Sequence, residues 1–100
     1  MDLEFFEDAL AEVDEDRAWY SNRSESAEAG FLRELDHAIQ QVTDAPTQWP
    51  PYLAGTRRYV FPTYPYSLVY FIEDYVIRVV AVVHDKRRPG YWRKRLHNRR

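Results

Sequence analysis

Apolar and polar positions divide the chain into a helical first half and a strand-rich second half. Leu3 to Phe6 is a short apolar patch that fits an opening strand, though it is too brief for periodicity to separate strand from helix. Beyond it Ala9, Leu10, Val13, Arg17 and Tyr20 fall at helical spacing with acids on the other side. This predicts an amphipathic helix from Asp8 to about Ser21, with Asp8 as its N-cap. Ser21 to Ser26 has no apolar residue and reads as a loop. The second helix is clearer: Phe31, Leu35, Ala38, Ile39 and Val42 form one stripe, and Arg33, Glu34, Asp36, Gln40 and Gln41 the opposite side. Gly30 weakens its first turns by roughly 1 kcal/mol relative to Ala. Pro46 disfavours helical geometry at Ala45, so the helix should end near Asp44.

Pro46 to Gly55 holds three prolines and a glycine around Trp49 and Tyr52, a connection that packs without being a regular element. Three runs rich in β-branched and aromatic residues follow: Arg57 to Phe61, Tyr66 to Ile72 and Val76 to His84. The turns between them are of hairpin length, which makes the three strands antiparallel neighbours. Strict alternation in the last strand puts Ile77, Val79, Ala81 and Val83 on one face and Val76, Arg78, Val80, Val82 and His84 on the other. Both faces are apolar, yet one helical hairpin covers only one of them. The second is then covered by the tail or kept for a partner, and Arg78 and His84 place a functional surface there. The fold expected is α+β: a short N-terminal strand and a helical hairpin packed on one face of a small antiparallel sheet, in the order β-α-α-β-β-β.

Length adds that residues 1–100 form a single domain, with a basic tail from about residue 86. Charge changes the picture more. Residues 1–50 carry thirteen Asp or Glu against three Arg, whereas residues 51–100 carry eleven Lys or Arg against three acids, eight of the bases lying after His84. Such a basic, aromatic half suits a phosphate backbone or an acidic protein. Without cysteine there is neither a disulfide framework nor a thiolate metal site, and His37, His84 and His97 fall on unrelated elements, so no metal or other cofactor is expected. No apolar run is long enough to span a bilayer, and a cytoplasmic location follows by elimination.

The order of elements, together with specific residues, resembles the RelE/ParE superfamily of bacterial type II toxins. Those residues are His84, Arg87 or Arg88, Pro89, Tyr91 and Trp92 as an H-x-x-R-x-P-x-Y-W pattern, Trp19-Tyr20, Arg57-Arg58, and Tyr64-Pro65-Tyr66. The resemblance implies a toxin neutralised by a cognate antitoxin that wraps a helix or extended segment over it. RelE-like members cut mRNA in the ribosomal A site, and ParE-like members poison DNA gyrase without known nuclease chemistry. No small-molecule substrate or membrane is implied.

Metal-free RNA cleavage by the RNA's own 2′-oxygen needs a proton acceptor, a proton donor for the leaving oxygen and positive charge for the transition state. His84, Tyr91 and Arg87 are the catalytic candidates, with Arg57, Arg58, Arg78 and Arg88 as phosphate-binding candidates. His84 alone has an ordinary pKa near neutrality, about 6.5. RelE uses lysines on its second and third strands, and here no Lys precedes Lys86. The bland readings are a hydrogen-bonded His84, a Trp92 that anchors a fold-back after Pro89-Gly90, and Arg87 and Arg88 solvated or paired with the acidic helices. Ribosome-dependent mRNA cleavage is the leading expectation; a gyrase inhibitor and a non-catalytic protein- or nucleic-acid-binding module are the alternatives.

Overall fold

A computed structural model describes residues 1–97. The elements run β1 (Asp2–Phe5), α1 (Glu7–Ser21), α2 (Glu25–Asp44), β2 (Arg57–Val60), β3 (Tyr66–Glu73) and β4 (Val76–His84), with 3-10 turns at Leu53–Gly55 and Arg93–Leu96. The sheet order is β1-β4-β3-β2. The three later strands are antiparallel as expected, and β1 adds to the outer edge of β4 in parallel, which makes the sheet mixed. This is the expected α+β architecture.

Two helix starts differ from the sequence reading. Phe6, in extended geometry, is the N-cap of α1, and its carbonyl accepts from Ala9 and Leu10. Asp8 instead lies in the first turn beside Glu7, where a negative charge complements the helix dipole. Helix α2 begins at Glu25, because the Ser24 hydroxyl accepts the Ala27 amide at 2.9 Å and so stabilises a start within the polar stretch that reads as loop. Its end at Asp44 is as expected.

One side of the sheet carries the larger core. Ala9 and Val13 of α1, with Phe31, Leu35, Ala38 and Val42 of α2, pack on Tyr59, Tyr66, Leu68, Tyr70, Ile77, Val79 and Val82. The other side is covered by the chain's own tail: Trp92, 1 % exposed, packs with Val69, Val80 and Ala81, joined by Tyr52, Leu53, Tyr91 and Leu96. Trp92 is thus the fold-back anchor. Gly90 makes the reversal with φ of +77°, a conformation a side chain would strain.

The alternation read from the sequence fails in the middle of β4. Tyr70 pairs with Val79 and Val69 with Ala81, so Val80 is the extra residue of a β-bulge. Past the bulge the parity inverts. Val80, Ala81 and Val83 face the tail, Val82 faces the helices, and His84 takes the register position opposite Tyr66 of the helix-side core. Arg78, paired with Phe71 at the far end of the strand, stays on the tail side. Arg78 and His84 therefore do not share a face.

Candidate functional site

Strand β1 spans only four residues and leaves the outer edge of β4 after the Phe6 amide bonds the Val79 carbonyl at 2.9 Å. Beyond that point two side chains stand in for the missing strand. Glu12 Oε1 accepts the Val82 amide at 3.0 Å, and Arg95 Nη1 donates to the Val80 carbonyl at 3.0 Å. The two are also bonded to each other, Arg95 Nη1 and Nη2 meeting the Glu12 carboxylate at 3.1 and 3.0 Å. The Tyr91 hydroxyl donates a further short bond to Glu12 Oε2. Both charged side chains are largely buried, at 12 % and 14 % exposure. An unpaired charge in such a place is costly, so the groups hold one another as a clasp between α1, β4 and the tail.

The clasp extends along α1. Asp8, Glu12 and Asp16 stand four residues apart and so share one stripe of the helix. The tail runs past this stripe in reverse: Asp8 meets Arg95 Nε at 3.6 Å, Glu12 holds Arg95 and Tyr91, and the charge of Arg87 acts on Asp16. Sequence reasoning missed Glu12, Asp16 and Arg95. Their four-residue spacing was visible, but nothing in it shows that the tail, which is not an α-helix, lies antiparallel along α1.

This arrangement sets the proton affinities. Burial raises the Tyr91 phenol far above its ordinary pKa, and its bond to the Glu12 carboxylate and the negative charge there raise it further. For Arg95 burial opposes the charge, but Glu12 more than offsets it and the pKa rises. Asp16 is pushed up to about 6, first by burial and then by Glu12 and Glu15, against the opposing effects of the Tyr66 hydroxyl and Arg87.

The residues singled out in the sequence are spread across the molecule. At the end of β4, a cavity is lined by Tyr52, Arg58, Ser67, His84, Arg87 and Trp92, among others. His84 lies edge-on to Tyr66 with ring centroids 5.1 Å apart, and its Nδ1 accepts the Lys86 amide at 3.1 Å, which leaves Nε2 to carry the proton of the neutral ring. Arg87 stacks over Tyr91 at 3.8 Å and Arg58 over Tyr52 at 4.3 Å. The structure thus brings Arg58, His84 and Arg87 to one cavity and turns the Tyr91 hydroxyl to Glu12. Arg88 is exposed on the turn that follows. Arg57 fastens the proline-rich connection, donating to the Trp49 carbonyl at 2.6 Å. Arg78 bridges Glu4 at 2.8 Å and Glu73 at 3.5 Å, at the opposite end of β4.

Two solved structures share this architecture. A chain of the chromosomal ParDE toxin–antitoxin system from P. aeruginosa aligns with a TM-score of 0.73 and 15 % identity over 84 % of this chain and 95 % of that one. The isolated E. coli RelE toxin aligns at 0.58 and 18 % identity over 98 % of each. At these identities the likeness establishes the fold, a small α+β fold that toxins of this class share. Residues 3–89 match the family described as the ParE toxin of the type II toxin–antitoxin system, parDE, and the chain belongs to that family. It is a type II toxin, and the family implies a cognate antitoxin as partner. No curated protein matches the sequence. Among the described residues no helix is long and apolar enough to cross a membrane.

Proposed function

We propose that this toxin arrests growth by binding its target and not by cutting RNA, and that the target is DNA gyrase, as the resemblance to ParE-like members implies. The observation that carries the reading is the Tyr91 hydroxyl. It is the one phenol in the H-x-x-R-x-P-x-Y-W pattern, and it donates to a buried carboxylate that also holds Arg95 and the Val82 amide. A phenol whose pKa is raised far above 10 and whose proton is committed to Glu12 is a fastener, poorly matched to general acid–base work near neutral pH. The cytoplasm, where gyrase and DNA lie, is the proposed location, and the antitoxin keeps the protein silent until it is removed.

The test is direct. Purified toxin incubated with gyrase and supercoiled DNA should trap cleaved DNA, and programmed ribosomes given the same toxin should leave their mRNA intact. Intact gyrase turnover together with mRNA cleavage would overturn the reading.

One observation favours RNA cleavage as a second reading: Arg58, His84 and Arg87 line a single cavity. In that case His84 Nε2 is the proton-transfer group, and Arg87 and Arg58 supply charge to the scissile phosphate. A folded His84→Ala variant that loses ribosome-dependent cleavage would support it, whereas unchanged toxicity of that variant supports the binding mode.

A further inference from the structure

The tail carries two sets of cations, and the fold separates them. Arg95 turns inward to Glu12, Asp8 and the Val80 carbonyl, while Arg87, itself exposed, is occupied by the Tyr91 ring under its guanidinium and by the charge of Asp16. Lys86, Arg88, Arg93 and Lys94 are exposed, and among the described residues none of the four is in an ion pair. The segment lies across the tail side of the sheet with Tyr91, Trp92, Arg95 and Leu96 turned toward the protein, which leaves those four on its outer surface. The opposite layer of the molecule is acidic: Glu7, Asp14, Glu15, Glu25, Asp36 and Asp44 are exposed on the two helices. The charge division of the sequence thus becomes a division between the two outer layers.

Resting on the gyrase reading, we propose that the outer surface of this tail docks on duplex DNA, with Lys86, Arg88, Arg93 and Lys94 neutralising backbone phosphates. Several features favour that ligand. The four cations lie within nine residues and are presented by a segment that is already ordered: Trp92 anchors it, Glu12 clasps it, and Gly90 sets its turn. Ordering therefore costs little on binding. Four exposed cations on flexible stems, two of them lysines, can meet backbone phosphates whatever the bases are, which predicts binding without sequence preference. The acidic layer on the far side orients the molecule so that the tail, and not the helices, approaches a polyanion. A gyrase poison acts on an enzyme that is already holding duplex DNA, so this face would meet the DNA of the gyrase complex.

The experiment measures binding of a fluorescein-labelled duplex by the full chain as salt is varied. Counterion release gives a slope of about −0.9 in log K against log salt for each phosphate neutralised. A Lys86→Gln, Arg88→Gln, Arg93→Gln, Lys94→Gln variant should flatten the slope by about 3.6 while its circular dichroism stays that of the parent. Arg33→Gln, which removes an exposed cation from the helical layer, should leave the slope as it was. Equal slopes for the fourfold variant and the parent overturn the proposal, as does equal flattening by Arg33→Gln. Tighter binding of single-stranded RNA than of duplex DNA also overturns it, in favour of RNA as the polyanion. A gyrase assay on the same proteins separates this proposal from the reading beneath it. Trapped gyrase with no salt-dependent DNA binding rejects the docking surface alone, and DNA binding with unaffected gyrase rejects the gyrase target alone.

Discussion

Asp16 shows how one residue's environment departs from what its type suggests. On the helical stripe it is one more acid, yet burial, with Glu12 and Glu15 close by, raises its carboxyl from 3.8 to about 6 against the opposing Tyr66 hydroxyl and Arg87. A carboxyl whose pKa is higher in the folded than in the unfolded chain contributes stability below the unfolded value and loses it as pH rises through the folded one. Ionised Asp16 is therefore a liability at neutral pH. Asp16→Asn should stabilise the protein by about 1 kcal/mol at pH 7.5, discounted from the full shift because the group keeps some solvent contact, with the gain vanishing by about pH 4. Urea titrations at both pH values read this, and a pH-independent difference would reject the assignment. The role of Trp92 was legible at this scale, because a tryptophan after Pro-Gly at the end of an apolar strand has an evident place to go. That of Glu12 was not: one acid among six on α1, it differs from the others only in what lies opposite it.

The elements themselves were largely legible, since apolar periodicity and the prolines mark both helices and all three later strands. Gly30 is where element-level reasoning misleads. By propensity alone Ala would improve α2 by about 1 kcal/mol. In the fold, however, Tyr64 crosses the helix at that point to donate to the Ala27 carbonyl at 2.8 Å, and a Cβ on residue 30 would overlap its hydroxyl. Gly30→Ala should therefore destabilise by about 1–3 kcal/mol. The loss should be smaller in a Tyr64→Phe background, where the overlapping atom is gone. Urea unfolding of the four proteins in that cycle checks it, and a stabilised Gly30→Ala would contradict the close approach. The bulge at Val80 is the other departure. A run of valines and alanine carries no signal for an extra residue, so the inversion that moves His84 away from the face of Arg78 could not be read from period two.

At the scale of the whole molecule, the acidic first half and basic second half fold partly against each other. The Glu12 clasp is where this matters most for stability, because it joins the first helix to the last segment and covers a strand edge left open by the shortness of β1. Glu12→Ala leaves a buried guanidinium, a phenol and an amide without their acceptor and should cost about 3–5 kcal/mol. A double-mutant cycle with Arg95→Ala should show coupling above about 1 kcal/mol. Additive losses would mean that the two side chains stabilise the tail independently.

What the sequence determined by itself was everything that depends on local period and composition: the helical hairpin, the three antiparallel strands, the fold-back at Pro89-Gly90-Tyr91-Trp92, and the family resemblance carried by their order. The tertiary structure alone decided which face each side chain meets and which charges are spent internally. A bulge displaces parity without a mark in the chain, and partners eighty residues apart are chosen by how the layers stack. Hence the partner of Tyr91, a candidate proton-transfer group in the sequence, is set by the fold: its hydroxyl donates to Glu12. Which cations stay exposed is likewise decided by how the tail stacks on the sheet.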